Sequence, residues 1–367
     1  MTLPACQYAI ISAACVVFVS VFTDFGIPTV IGGSTNVLAT DIYKQVIGRF
    51  DFELGAVVGV LLLTPALVAY GIDVVARRNQ RATFSGRSVP VVLGRNPARD
   101  TICLGLVVLV ATAILGIIGM AIYGSLVRFW PYNLTLGLHN YEKAISDPDE
   151  LRTLLNSLVL ATSTALVGTS LVALSGGMVG RKAFAGGLTQ VLQALAMVPV
   201  AVPGLVLGLG YVFFFNNPAN PLHILQGSMA LLVLCTIAHF YTVPHLMAVG
   251  ALVKLDREVD LAAQALRSGP VGTGRRIHVP VLGPTLVDIV GYLFVNAMTT
   301  VSALMFLFNA QTRVAAIAVV NMAEGSRFGQ ATALAVMVML ICLVATALQM
   351  LLRAIILRRQ AWRRQTR

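Results

Sequence analysis

Long apolar runs separated by short polar segments dominate this chain. Eight largely apolar stretches are long enough to cross the ~30 Å hydrocarbon core as helices. They are residues 5–22, 54–75, 102–123, 154–174, 188–215, 228–249, 286–308 and 332–351. The pattern predicts an all-α polytopic membrane protein with about 8 transmembrane helices.

Residues 254–280 break this apolar pattern. They carry five Lys or Arg and three acidic residues, so the segment cannot lie in hydrocarbon. A short stretch rich in small residues is followed by a Gly/Pro turn around Gly269 and by a basic stretch that ends at Pro280. We interpret this segment as a loop that docks on something in the cytoplasm.

Composition agrees with a membrane protein. The chain is 57% hydrophobic and 11% charged, whereas about 25% of the residues in a soluble domain are charged. The net charge of +11 follows the topology, because 19 of the 26 Lys and Arg fall on the side of the 254–280 loop. The positive-inside rule predicts that this side and both termini are cytoplasmic. The charge therefore indicates a lipid bilayer and no nucleic-acid partner.

Reactive constellations are absent from the sequence. The five cysteines form no CxxC pair or metal-ligand spacing, and no GxxxxGK[ST] nucleotide-binding motif occurs. No catalytic residue is predicted. These absences disfavour an integral-membrane enzyme.

Residues 1–76 resemble residues 277–352 when the chain is aligned with itself at an offset of 276 without a gap. Thr23 then falls on Thr299 and Phe52 on Phe328, which predicts a duplication of the kind common in transporters. The predicted parts are two helices of a first, truncated unit (1–76), a basic cytoplasmic linker (77–99), a complete six-helix unit (100–352) and a basic cytoplasmic tail (353–367). We expect further spans of the first unit ahead of Met1.

The 254–280 loop resembles the coupling loop of the permease subunits of binding-protein-dependent ABC importers. That family's pattern is Glu-Ala-Ala, three residues, Gly, nine residues and Ile-x-Leu-Pro. Leu261 stands in the place of the Glu, with Asp260 just before it, and Arg267 stands in the place of the Gly. The matching positions are Ala262, Ala263, Ile277 and Pro280. The resemblance implies that this loop docks on a cytoplasmic ABC ATPase dimer.

Segments in the same order along the chain are also similar to permeases of 2-aminoethylphosphonate importers: residues 22–48, 238–249, 255–260 and 284–322. This resemblance implies a type I ABC importer (MetI-like) transmembrane fold in the bacterial inner membrane. It also implies an external solute-binding protein, no cofactor of its own, ATP bound by a partner subunit, and a second permease chain or a missing N-terminal half. The implied substrate is a phosphonate such as 2-aminoethylphosphonate.

Other substrates and classes remain open at this point. Ferric iron and polyamine (spermidine or putrescine) permeases share the architecture. An ion-coupled secondary transporter would use Asp24, Asp288 and His239 as relays, but it would leave the coupling-like loop unexplained.

Polar residues within apolar stretches are costly and often mark function. The candidates for a translocation path are Thr23, Asp24, His239, Tyr241, Asn296, Thr299, Thr300 and Ser302. Spacings of three and four place Asn296, Thr299 and Thr300 on one helical face. Hydrogen bonding between helices, including a structural histidine, is the alternative.

Two prolines and a glycine interrupt the fifth stretch: Pro199, Pro203 and Gly204. Such breaks are tolerated where neighbouring helices or a cavity satisfy the freed backbone groups. A hinge for alternating access and a packing kink both fit these residues.

Overall fold

The computed structural model describes residues 2–33, 35–79, 96–181, 187–255 and 257–359. Its first eight helices are α1 (Thr2–Phe22), α2 (Gly26–Ile31), α3 (Leu38–Tyr43), α4 (Phe52–Asn79), α5 (Pro97–Leu126), α6 (His139–Ser146), α7 (Pro148–Gly180) and α8 (Leu188–Ala201). The next eight are α9 (Gly204–Phe215), α10 (Met229–His239), α11 (Thr242–Val253), α12 (Arg257–Ala265), α13 (Pro270–Thr273), α14 (Val279–Thr299), α15 (Ala315–Glu324) and α16 (Phe328–Arg359).

Shorter elements complete the fold. Strands β1 (Val127–Phe129) and β2 (Asn133–Leu136) pair antiparallel, with Val127 opposite Leu136. Two π-helical segments (Lys44–Gly48 and Gly274–His278) and two 3₁₀ segments (Pro221–Leu225 and Ser302–Leu304) lie between α-helices. Residues 80–95 of the predicted linker and 360–367 of the predicted tail lie outside the described residues.

The predicted all-α membrane fold is confirmed. Among the described residues, five helices are long and apolar enough to cross a membrane, and two bent pairs bring the number to as many as seven. The remaining predicted stretch corresponds to α1, whose shorter apolar part is Ile10–Phe22.

Prolines explain both bent pairs. The pair α8 and α9 bends by 110°, and the pair α10 and α11 bends by 56°. A proline ring clashes with the carbonyl four residues earlier, so α8 cannot continue through Pro203 and α10 cannot continue through Pro244. Pro244 is tolerated in the first turn of α11, where an N–H has no helical partner. The sequence analysis missed this second break because it treated residues 228–249 as one span and overlooked Pro244.

The seventh predicted stretch was drawn too long. Helix α14 ends at Thr299, and the 3₁₀ segment Ser302–Leu304 follows. Thr300 has an extended ψ of 134° and does not continue the helix. The predicted shared face of Asn296, Thr299 and Thr300 is therefore wrong at Thr300.

One of the buried hydrophobic clusters forms where α7 crosses α14 and α11. Small residues on α7 let its neighbours approach closely, as in many membrane helix pairs. A Cβ at Gly168 would lie 2.8 Å from Leu293 Cδ1, and one at Gly176 would lie 2.7 Å from Ala248 Cβ. This packing places α14, whose far end reaches the candidate site, directly against α7.

Backbone features recur at the offset of 276 residues. Helices α4 and α16 begin at Phe52 and Phe328. The left-handed residues Phe50 (φ 55°) and Ser326 (φ 57°), which precede these two helices, share that offset. A hydrogen bond between helices also recurs, because Ser12 bonds Asp73 and Gln349 bonds Asp288.

At one place the spacing between equivalent residues of the two copies is 277 instead of 276. The residues that precede α3 and α15, Val37 and Val314, have similar extended conformations but lie 277 apart. The π-helical segment Lys44–Gly48 accommodates one extra residue, because a π-bulge has one residue more per turn than an α-helix. After this segment the spacing is again 276. The alignment without a gap is wrong over this stretch.

Candidate functional site

Four interruptions of helices meet at one cavity of about 320 Å³. They are the end of α1, the α8–α9 break, the α10–α11 break and the segment after α14. Backbone that departs from a helix within a membrane is tolerated where it lines a cavity. Transporters commonly build substrate sites from such discontinuous helices.

Seven residues predicted from the sequence line this cavity: Thr23, Asp24, Pro199, Pro203, Gly204, His239 and Ser302. The Asp24 carboxylate also accepts hydrogen bonds from the N–H groups of Gly26 and Ile27, both at 3.3 Å. Among the described residues, Nδ1 of His239 is buried without a hydrogen-bond partner. Tyr292 and Thr242 also line the cavity and were missed, because nothing in their local sequence separates them from structural residues.

The other four predicted path residues lie elsewhere. Asn296 donates to the carbonyl of Tyr292 at 2.8 Å, and Thr299 donates to that of Val295 at 3.0 Å. Thr300 is buried. The Tyr241 hydroxyl bonds Ser175 on α7. For Asn296, Thr299 and Tyr241 the alternative of hydrogen bonding within and between helices describes the structure better.

Two glycines seat α9 against the 3₁₀ segment beside the cavity. A Cβ at Gly204 would lie 2.3 Å from Ser302 Oγ, and one at Gly208 would lie 2.6 Å from the carbonyl oxygen of Ala303. Their spacing of four places both on the same helical face. The wall of the cavity therefore depends on the absence of side chains at these two positions.

The predicted coupling loop forms α12, a turn with α13, and the π-helical segment that leads into α14. Asp260 points towards the rest of the chain, where Arg181 Nη1 lies 3.2 Å from its Oδ2 and His278 Nε2 donates to its Oδ1 at 2.7 Å. Arg181 Nη1 also donates to the carbonyl of Leu255 at 3.1 Å. Residues Gly269 and Pro280 are exposed, and Ile277 is half-buried.

The two alanines of the loop face opposite ways. Ala263 is 2% exposed and lies on the same side of α12 as Asp260, whereas Ala262 is exposed. Leu261 and Leu266 are 62% and 83% exposed. Together with Ala262, these two leucines form an outer apolar face, which we define as the α12 outer face.

Arg267 occupies the position where the importer pattern has glycine, and it has a φ of 55°. Only glycine adopts this left-handed region without a steric cost. The importer pattern therefore has glycine at this position because the turn requires a left-handed conformation. In this chain the same turn forms with Arg267 in a sterically strained conformation.

The described residues contain no group of three or more His, Cys, Asp or Glu side chains that could hold a metal ion. Asp24 and His239 are the acidic and imidazole side chains of the cavity lining.

No protein-family model matches the chain. Two curated relatives are similar over most of it. The ferric transport system permease protein FbpB of Actinobacillus pleuropneumoniae is 31% identical over 348 residues, which is 90% of this chain and 48% of that protein. A putative ferric transport system permease protein of Haemophilus influenzae is 33% identical over 324 residues, which is 85% of this chain and 49% of that protein. The chain belongs to the permease subunits of binding-protein-dependent ABC importers.

The permease spans about half the length of these two curated relatives. Its fold matches that of the permease of a bacterial ABC transporter involved in the import of alginate, with a TM-score of 0.59 and 14% identity over 71% of this chain and 96% of that one. A second structure, with an alginate-bound periplasmic protein, matches with a TM-score of 0.58 and 15% identity over 69% of this chain and 93% of that one. The permease thus has the fold of these importer chains, with several helices long and apolar enough to cross a membrane.

Proposed function

We propose that this permease carries ferric iron across the bacterial inner membrane as part of an ABC importer. The observation that carries the proposal is the similarity to two ferric transport permeases over 85% or more of the chain. This evidence favours the alternative of ferric iron over the phosphonate that the sequence motifs implied. Carboxylate and imidazole groups, which Asp24 and His239 supply at the cavity, suit iron as ligands.

The cavity is the proposed passage for the cargo. An external binding protein delivers the ion. The breaks in the four helices allow the cavity wall to move, so that the cavity opens to one side of the membrane or the other. The lining combines polar side chains with apolar ones such as Val19, Val202 and Phe240, so that few groups hold a cargo that must enter and then leave.

The energy comes from a separate ABC ATPase that docks on the α12 outer face from the cytoplasm. The exposed leucines and Ala262 offer an apolar surface, and the basic loop residues keep that side cytoplasmic. ATP-driven closure of the ATPase pair would move α12 and switch the cavity from inward- to outward-facing. Both chain termini then lie in the cytoplasm.

We also propose that residues 1–76 and 100–352 belong to two related units. Support comes from the recurrence of helix starts, left-handed residues and one hydrogen bond between helices at a spacing of 276. The cavity then lies between the units, because α1 lines it from one unit and α8 to α11 and α14 line it from the other.

The test is uptake into proteoliposomes that contain the permease, its ATPase and its binding protein, with ATP inside. We expect uptake of radiolabelled ferric iron that requires ATP and continues when a protonophore is added. ATP-dependent uptake of 2-aminoethylphosphonate or spermidine in place of iron would refute the cargo assignment. Loss of uptake with a protonophore while ATP stays high would favour an ion-coupled transporter.

A further inference from the structure

Asp260 is the point where the docking helix is attached to the transmembrane helices. Its two carboxylate oxygens are engaged by different elements, Oδ2 by Arg181 at 3.2 Å and Oδ1 by His278 at 2.7 Å. Arg181 caps the C-terminal end of α7, and His278 immediately precedes α14. A single side chain of α12 is therefore bonded to the ends of two core helices.

This arrangement separates Asp260 from the docking surface. Asp260 and Ala263 lie three residues apart and face inward, whereas Leu261, Ala262 and Leu266 form the α12 outer face on the opposite side. The Asp260 carboxylate is thus occupied within the permease, and the outer side of α12 presents the apolar residues together with the exposed Glu258.

We propose that Asp260 is a positioning residue that transmits movement of α12 to α7 and α14, and that it does not contact the ATPase. This inference rests on the proposed docking of an ABC ATPase at the α12 outer face. Because Arg181 Nη1 also bonds the carbonyl of Leu255, the start of the loop is held at the same point. A displacement of α12 then moves the ends of α7 and α14 and is not taken up by bending of the 254–280 loop.

The path from Asp260 to the cavity follows α14. This helix begins next to His278, contributes Tyr292 to the cavity lining, and ends at the 3₁₀ segment that contains Ser302. Gly204 and Gly208 hold α9 against that segment. Charge-assisted hydrogen bonds are shorter and stronger than neutral ones. The Asp260 contacts therefore resist separation of α12 from α7 and α14 better than neutral hydrogen bonds would.

The first experiment compares Asp260→Asn with Asp100→Asn, the same chemical change at an exposed acid in the first turn of α5, which serves as the matched control. Both variants should capture the cognate ATPase from detergent solution as the parent permease does. Asp260→Asn should lower ATP-driven uptake by about ten-fold or more, the size of a typical coupling free energy. Asp260→Glu should restore part of the uptake, which a merely structural loss would not predict.

The second experiment uses the permease alone in lipid nanodiscs, so that it does not depend on the ATPase. Spin labels at Ala262→Cys and Leu174→Cys, with the five native cysteines replaced, report the distance between α12 and α7. The distance distribution should broaden in Asp260→Asn and stay narrow in Asp100→Asn.

Two results would overturn the inference. Loss of ATPase capture by Asp260→Asn with an unchanged distance distribution would make Asp260 a docking contact. Unchanged uptake and unchanged distances would mean that the bonds transmit nothing. If the parent permease captures no ATPase, the proposed function fails, and the distance distribution still decides whether Asp260 fixes α12 to α7.

Discussion

Replacing Gly208 by alanine should separate α9 from the 3₁₀ segment beside the cavity. The new Cβ would lie 2.6 Å from the carbonyl oxygen of Ala303, whereas ordinary contact begins at 3.4 Å. The two segments must therefore move apart by about 0.8 Å, because both sides of the contact are backbone and no rotamer change can relieve it. Overpacking of this kind costs about 1–3 kcal/mol.

Gly210 supplies the matched control, since a Cβ there would meet nothing within 4 Å. Both substitutions gain the same helix propensity of about 0.5–1 kcal/mol, so the difference between the two variants isolates the clash. With ~2.1 cal/mol/K of unfolding entropy per residue over 367 residues, Gly208→Ala should melt about 1–4 °C below Gly210→Ala.

The assays are thermal unfolding in detergent and ferric-iron uptake in proteoliposomes. Gly208→Ala should lose uptake along with stability, because the displaced segment carries Ser302 of the cavity lining. Equal melting temperatures and equal uptake for the two variants would refute the close approach of α9 to residues 302–304.

Three further predictions concern stability and use thermal unfolding in detergent. Arg267→Gly should raise the unfolding free energy by about 1 kcal/mol, because glycine removes the cost of the left-handed backbone, and no gain would contradict this account. Gly176→Ala should destabilise the permease, because the new Cβ would lie 2.7 Å from Ala248 Cβ. Gly177→Ala should not, because a Cβ there would meet nothing within 4 Å. Equal effects of the two substitutions would argue against the packing of α7 on α11. Partial desolvation raises the pKa of Glu324 above its ordinary value of 4.5, so its protonated form favours the folded state and stability should fall as pH rises from about 4.5 through the folded pKa. Glu324→Gln should reduce that fall, and an identical pH profile for the two proteins would refute the effect of desolvation on Glu324.

Local sequence determined much of the fold. Apolar length alone located the membrane helices, because a span of the bilayer needs about 20 such residues wherever it lies in the chain. Proline acts on the carbonyl four residues earlier, so the α8–α9 break was visible at Pro199 and Pro203, and Pro244 carried an equal but overlooked signal for the α10–α11 break. The pattern of the coupling loop likewise identified the segment that contains Asp260.

Tertiary packing alone decided which polar residues meet. Thr299 and Ser302 are three residues apart, yet only Ser302 lines the cavity, because α14 ends between them. Asp24 and His239 are distant in sequence and share the cavity because the interrupted helices converge there. The inward direction of Asp260 depends on Arg181 and on the packing of α12 against the rest of the chain. Helix length and breaks follow from interactions within a few residues, whereas these juxtapositions depend on contacts between helices that no local pattern encodes.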